Sequence, residues 1–160
     1  MPFAASSIDT DGPRGLSVES MDDPVNLPGW QRWFAAFDED GSGIVGHVDL
    51  KGDHLRTALH RCQLGIGIER PFRSQGLGVR LMQTAIVFVR STGTVDWIDL
   101  NVFAHNTTAR ALYKRLGFVE TGMQHDRFRM DGVVIDDVSM SLRVQPAPAR
   151  QEQHAAQQQQ

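Results

Sequence analysis

The segment Ile66–Gly78, IGIERPFRSQGLG, limits the fold more than any other stretch of the chain. The run Arg61–Ile68 (RCQLGIGI) reads as a strand whose glycines admit another backbone or a ligand at close range. It leads into Arg73-Ser74-Gln75-Gly76-Leu77-Gly78. From there Leu77, Leu81, Ala85 and Phe88 recur at helical spacing, which predicts a helix over Gly76–Arg90. Trp97–Phe103 (WIDLNVF) follows as a strand, with Trp97, Asp99, Asn101 and Phe103 on one face. The three pieces make one βαβ unit. Glycines at its turn let backbone N–H groups converge without Cβ interference, and the positive end of the helix favours a phosphate, with Arg73 and Arg80 adding charge nearby. A tight turn that binds nothing accounts for the glycines equally well.

Two other phosphate loops fit poorly. The pattern GxxxxGK[ST] is absent. GxGxxG begins at Gly76 and Gly78, and Asp96 or Asp99 follows roughly 20 positions on, but Leu81 stands where the third glycine belongs. One βαβ unit is also too little for a dinucleotide fold.

Around this unit, Ile44–Leu50 (IVGHVDL) reads as a strand. Asn106–Leu116 reads as a short helix capped by Asn106 or Thr107, with Ala109, Leu112, Tyr113 and Leu116 inward and Gly117 at its end. Gln124–Met130, a turn at Asp131-Gly132 and Val133–Leu142 read as a closing hairpin. The order β-β-α-β-α-β-β predicts an α/β mixture with antiparallel ends. At 160 residues the chain is long enough for one domain with a real core. Residues 27–144 are expected to fold. Residues 1–26 and the glutamine-rich 145–160 offer little to bury and are expected to be irregular or disordered.

A formal net charge of −3 argues against nucleic-acid binding by bulk charge. The lone Cys62 excludes an internal disulfide and a multi-thiolate zinc site, and fits a reducing cytoplasm. No apolar run reaches the ~18 residues of a membrane span, and Met1–Arg14 does not have the pattern of a signal peptide. No metal site is expected.

Two spaced motifs stand out. Arg73, Gly76 and Gly78 meet [Q/R]xxGx[G/A] at the strand-to-helix turn. Leu100, Val102, Asn106, Ala109, Leu112-Tyr113 and Leu116-Gly117-Phe118 then fit LxVxxxNxxAxxLYxxLGF. Together they resemble the GNAT superfamily of acetyl-CoA-dependent N-acetyltransferases. The resemblance covers Ile44–Leu142. Gly46-His47-Val48 and Asp131-Gly132…Asp136…Met140 look most like bacterial L-amino-acid N-acetyltransferases. It implies a mixed, mostly antiparallel sheet whose central parallel pair splays apart, with flanking helices. It implies acetyl-CoA as cofactor, with main-chain groups of Ile66 and Ile68 along the pantetheine arm. The amides of Arg73, Ser74, Gln75, Gly76, Leu77 and Gly78 would lie on the pyrophosphate, with Asn106 beside the cofactor. Tyr113, the one tyrosine, would be the proton donor to the leaving thiolate; without the motif it reads as a packed helix residue.

The implied function is acetyl transfer to the primary amine of a small molecule, an amino acid first, with a protein N-terminus or a polyamine as the alternative. A homodimer stays open. Where relatives carry a glutamate base this chain has Asn101, which leaves Asp99, Glu69, His105 or a water chain as candidates, none assigned. His47, His60 and Cys62 read as structural. Relatives also place a strand and two helices ahead of the first hairpin, where this chain offers only Leu27–Phe37.

A reading of another class competes: a non-catalytic acyl-CoA-binding module, or a calcium-binding one. Asp38–Asp49 (DEDGSGIVGHVD) fits much of an EF-hand loop, with Asp38, Asp40 and Ser42 as ligands and Gly43 at the turn. Trp30, Trp33, Phe34 and Phe37 precede it at helical spacing. Asp49 at the last position and the lack of a second loop favour the plainer pattern of strand, acidic turn, strand.

Overall fold

The computed structural model describes residues 18–20 and 24–146. Its strands are β1 (Val18–Ser20), β2 (Gln31–Phe37), β3 (Ile44–Gly52), β4 (Arg61–Ile68), β5 (Trp97–Phe103), β6 (Val119–Met130) and β7 (Val133–Arg143). They form one sheet in the order β1-β2-β3-β4-β5-β7-β6. Helix α1 (Leu77–Thr92) joins β4 to β5, and α2 (Thr107–Arg115) joins β5 to β6. Every neighbouring pair is antiparallel except β4 and β5. The architecture is the mixed, mostly antiparallel one with a central parallel pair expected from the sequence.

The amino-terminal part differs in detail. Two strands precede the predicted order: β2 is the first strand of the favoured pattern of strand, acidic turn, strand, and β1 takes three residues of the stretch expected to be irregular. Most of that stretch, and 147–160 of the expected tail, lie outside the described residues. The helical spacing in WQRWFAAF does not become a helix. Trp30, Phe34 and Ala36 are buried along one side of β2, as strand alternation requires. Arg32 interrupts that stripe, and its guanidinium lies 4.4 Å from the centre of the Phe88 ring. The acidic run turns β2 back into β3: Asp38 accepts hydrogen bonds from Ser42 N (2.8 Å) and Ser42 Oγ (2.9 Å), and its own N–H donates to Gly43 O (3.0 Å). This strand–turn–strand overturns the EF-hand reading, which needs a helix on each side.

Alternation gives the sheet two unlike faces. Val48, Leu50, Cys62, Leu64, Ile98, Leu100, Val138 and Met140 are buried on one. Leu81, Met82, Ala85 and Val89 of α1 close over the same core. The other face carries Lys51, Gln63, Asp99, Asn101, Ser139 and Ser141, which meet across the strand register. Two hydrogen-bonded rungs cross it. Arg61 Nε and Ser141 Oγ both donate to Asp99, at 2.8 and 2.6 Å. Gln63 Nε2 donates to Asn101 Oδ1 (3.0 Å), whose Nδ2 donates to Asp137 Oδ2 (2.7 Å) and Ser139 Oγ (3.2 Å). A sheet packed on one side and polar on the other is a stable solution for antiparallel strands. Among the described residues no helix lies between β1 and β2 or on the polar face.

Candidate active site

The parallel pair is short. Its register runs Arg61↔Trp97, Cys62↔Ile98 and Gln63↔Asp99, then stops although both strands continue. Beyond that point a cleft of about 580 Å³ opens between them. Leu64, Ile66, Leu100, Val102, Asn106 and Tyr113 line it from the helix-bearing side, and Gly65, Asn101, Phe103, Gln124, Phe128 and Asp137 from the polar side. Arg127 adds to the rim from an irregular stretch of β6. The opening is thus a passage through the sheet.

Its main-chain chemistry follows from the register. Glu69 N donates to Val45 O (2.9 Å), and Gly46 faces Ile68 in the ladder. Strand alternation then turns the polar groups of Gly65 and Gly67 toward β3, and those of Leu64, Ile66 and Ile68 toward the cleft. Ile66 itself lines the cleft; Ile68 lies just beyond its wall, with its carbonyl accepting from Arg73 Nε at 2.9 Å. Both strand positions predicted for cofactor contact therefore present main chain to the side where no strand pairs.

The glycine turn is shaped by two left-handed residues, Ser74 (φ 62°) and Gly76 (φ 82°). A Cβ on Gly76 would meet nothing within 4 Å, so the turn's outer side is open. Gly76 caps α1 without a side-chain bond, and the helix's first-turn N–H groups point outward with no intrahelical partner. Gln75 Nε2 is held by Pro71 O (3.1 Å), while Leu77 buries its side chain in the core and offers only its N–H. Gly78 also serves packing, since a Cβ there would come 3.2 Å from Ile68 Cδ1 and 3.7 Å from Leu112 Cδ2. It lets α1 approach β4 and α2 closely.

Asn106 caps α2 through Oδ1, which accepts from Ala109 N at 3.2 Å, and this sets the turn of helix that carries Tyr113. Tyr113 is 8% exposed, its ring 6.1 Å from that of Phe118 and its side chain in the wall of the cleft. Among the described residues its phenol makes no hydrogen bond. Burial pushes its pKa above the usual 10, so the group stays protonated.

The remaining candidates sort by geometry. Asp99 is engaged by Arg61 and Ser141 in the lower rung, away from the cleft wall. Glu69 and His105 are exposed and outside that wall, His105 lying beside the Phe103 ring at 5.7 Å. His47 sits against Trp33 (5.3 Å) and His60 is exposed. Cys62 is buried, which pushes its thiol to about 12, and its Sγ lies 3.6 Å from Trp97 O. Sequence reasoning missed Asp137, a 6% exposed carboxylate in the polar wall of the cleft. Alternation along Ile135, Asp137, Ser139 and Ser141 sets it on the face of Asp99 and Asn101 once the register is known.

The family model for "Acetyltransferase (GNAT) family" matches residues 8–118. The chain belongs to the GNAT family of acetyltransferases. As a GNAT protein it is an acyltransferase. It is 27% identical over 117 residues to L-amino acid N-acetyltransferase AaaT of Escherichia coli, covering 73% of this chain and 70% of that protein. Its identity to Uncharacterized N-acetyltransferase YycN of Bacillus subtilis is 40% over 109 residues, or 68% and 62% of the two chains. Among solved structures, a GNAT-family acetyltransferase from Streptococcus pneumoniae superposes with a TM-score of 0.69 at 29% identity, covering 76% of this chain and 69% of that one. GNAT enzymes use acetyl-CoA. The parted strands, the open left-handed turn and the free first-turn amides of α1 fit an extended amide-bearing arm that ends in a pyrophosphate.

Proposed function

We propose that this GNAT protein transfers an acetyl group to the primary amine of a small molecule, an amino acid first among them. The observation that carries the reading is the passage through the sheet, with unpaired strand backbone along it and a buried phenol in its wall. When bound, acetyl-CoA supplies the thioester and the thiolate that leaves. The amides of residues 73–78 hold its pyrophosphate, with the N–H groups of Leu77 and Gly78 adding the helix dipole. The main-chain groups of Ile66 and Ile68 orient the arm, and Asn106 flanks it. A backbone N–H near Ile68 would offer a hydrogen bond to the acyl oxygen of the bound thioester. Tyr113 holds a proton at its phenol oxygen and gives it to the departing sulfur.

The amino-acid preference rests on the likeness to AaaT. A protein N-terminus or a polyamine is the alternative acceptor. A CoA-release assay with L-amino acids, spermidine and short peptides tests the reading. Release above the rate of acetyl-CoA hydrolysis, strongest with an amino acid, is expected. No stimulation by any amine overturns it, and strongest stimulation by a peptide overturns the choice of acceptor.

A further inference from the structure

Asp49 and Asp137 are the two buried carboxylates among the described residues, and Asp137 alone stands in the wall of the cleft. It lies opposite Phe103 and Gln124 in the strand register, on the polar face, whereas Tyr113 enters from the helix-bearing face. Asn101 Nδ2 holds one oxygen, Oδ2, at 2.7 Å, and Gln63 fixes Asn101 in turn. No hydrogen bond or ion pair reaches Oδ1 among the described residues. A buried carboxylate kept in place by one neutral amide, with an oxygen left over, is matched by a cation that arrives with its own N–H donors.

We infer that Asp137 receives the ammonium group of the acceptor and takes its proton, so that the amine enters from the polar face. This rests on the acetyl-transfer reading and adds the group that prepares the nucleophile. The protons balance. Asp137 removes one proton from the ammonium and passes it to solvent. The nitrogen lone pair forms the N–C bond as the C–S bond breaks, and the nitrogen's second proton replaces the one Tyr113 gives to sulfur. The side chain that faces this chemistry from β5 is Asn101, which cannot accept a proton and here orients the carboxylate instead. The charged or titratable groups around Asp137 are Arg127 at the rim and Tyr113 across the passage. Its chain neighbour Asp136 is bonded elsewhere, to His125 Nδ1 (3.0 Å) and Asp126 N (2.8 Å).

The test measures kcat/KM for the best amine of the panel, with Asp137→Asn and Asp137→Ser, at pH about 7 and about 9.5, alongside acetyl-CoA affinity by calorimetry. The expected result at neutral pH is a loss of about 10²-fold with unchanged acetyl-CoA affinity. The loss should narrow below about tenfold at the higher pH, where solvent itself supplies neutral amine. Wild-type kcat/KM in either folded variant overturns the assignment, and so does a loss that is the same at both pH values, which is what a purely structural role gives. A wild-type protein that acetylates no amine overturns the acetyl-transfer reading and this assignment together, so the two failures are distinct.

Discussion

Replacing Tyr113 by Phe separates the chemistry of the phenol from its packing. The ring stays against Phe118 and in the core. The hydroxyl makes no hydrogen bond among the described residues, so no protein partner is orphaned by its removal. The stability change should therefore stay within about 1 kcal/mol of zero, a shift of roughly 2–4 °C or less for a chain of this size. The rate is another matter. Loss of a positioned general acid costs about 10²–10⁴; because a thiolate also leaves unprotonated, the lower end is expected, near 2.7 kcal/mol of barrier. The assay is kcat with the true acceptor at saturating acetyl-CoA, with affinity for acetyl-CoA taken separately by calorimetry. Burial raises the Tyr113 pKa, so the phenol's contribution to stability is complete below about pH 10 and fades as pH climbs through the raised value. The alkaline fall in wild-type rate due to this group should accordingly lie above about pH 10. Full kcat in the Phe variant would refute the reasoning and leave Tyr113 as a packing residue.

Gly76→Asp should abolish acetyl-CoA binding while Gly76→Ala only weakens it: both strain a φ of 82° by about 1–2 kcal/mol, but only the carboxylate repels a pyrophosphate. Calorimetry on the two folded variants checks this, and equal affinities would contradict it. Gly78→Val should destabilise the fold by about 1–3 kcal/mol, since added carbon atoms force α1 off Ile68 and Leu112, read as a lowered melting temperature. Cys62, with its thiol pushed to about 12, should resist alkylation by iodoacetamide at neutral pH and react once urea exposes it, followed by mass spectrometry. Millimolar calcium should leave the melting temperature unchanged, because Asp38 spends its carboxylate on Ser42 within a hairpin turn.

The central elements were legible because each has one dominant period. Trp97–Phe103 matches β5 residue for residue, and α2 begins one residue after its Asn106 cap. The turn before α1 was visible because only glycine adopts a φ of 82° there without strain. The segment β2 was ambiguous because Arg32 stands in its buried stripe, and a charged residue among apolar ones suits a helix face as well as a strand. Paired with β3, the segment alternates as a strand as far as the irregularity between Ala36 and Phe37. Asp137 stayed hidden for a different reason. Asp136 and Asp137 are equal in sequence, and only the register with Phe103 and Gln124 decides which of them meets the cleft.

The three-residue seam between β4 and β5 leaves the rest of both strands unpaired with each other. An extended arm lying against Ile66 and Ile68 would act as a surrogate strand, closing hydrogen-bonding positions that the chain leaves vacant. Ligand supply and folding are then linked by mass action. At a hundredfold excess over the dissociation constant, a ligand that binds only the native state adds about 2.7 kcal/mol to its stability. A cell rich in that ligand holds more of this protein folded, and one that is starved of it leaves the same chain longer in reach of proteases.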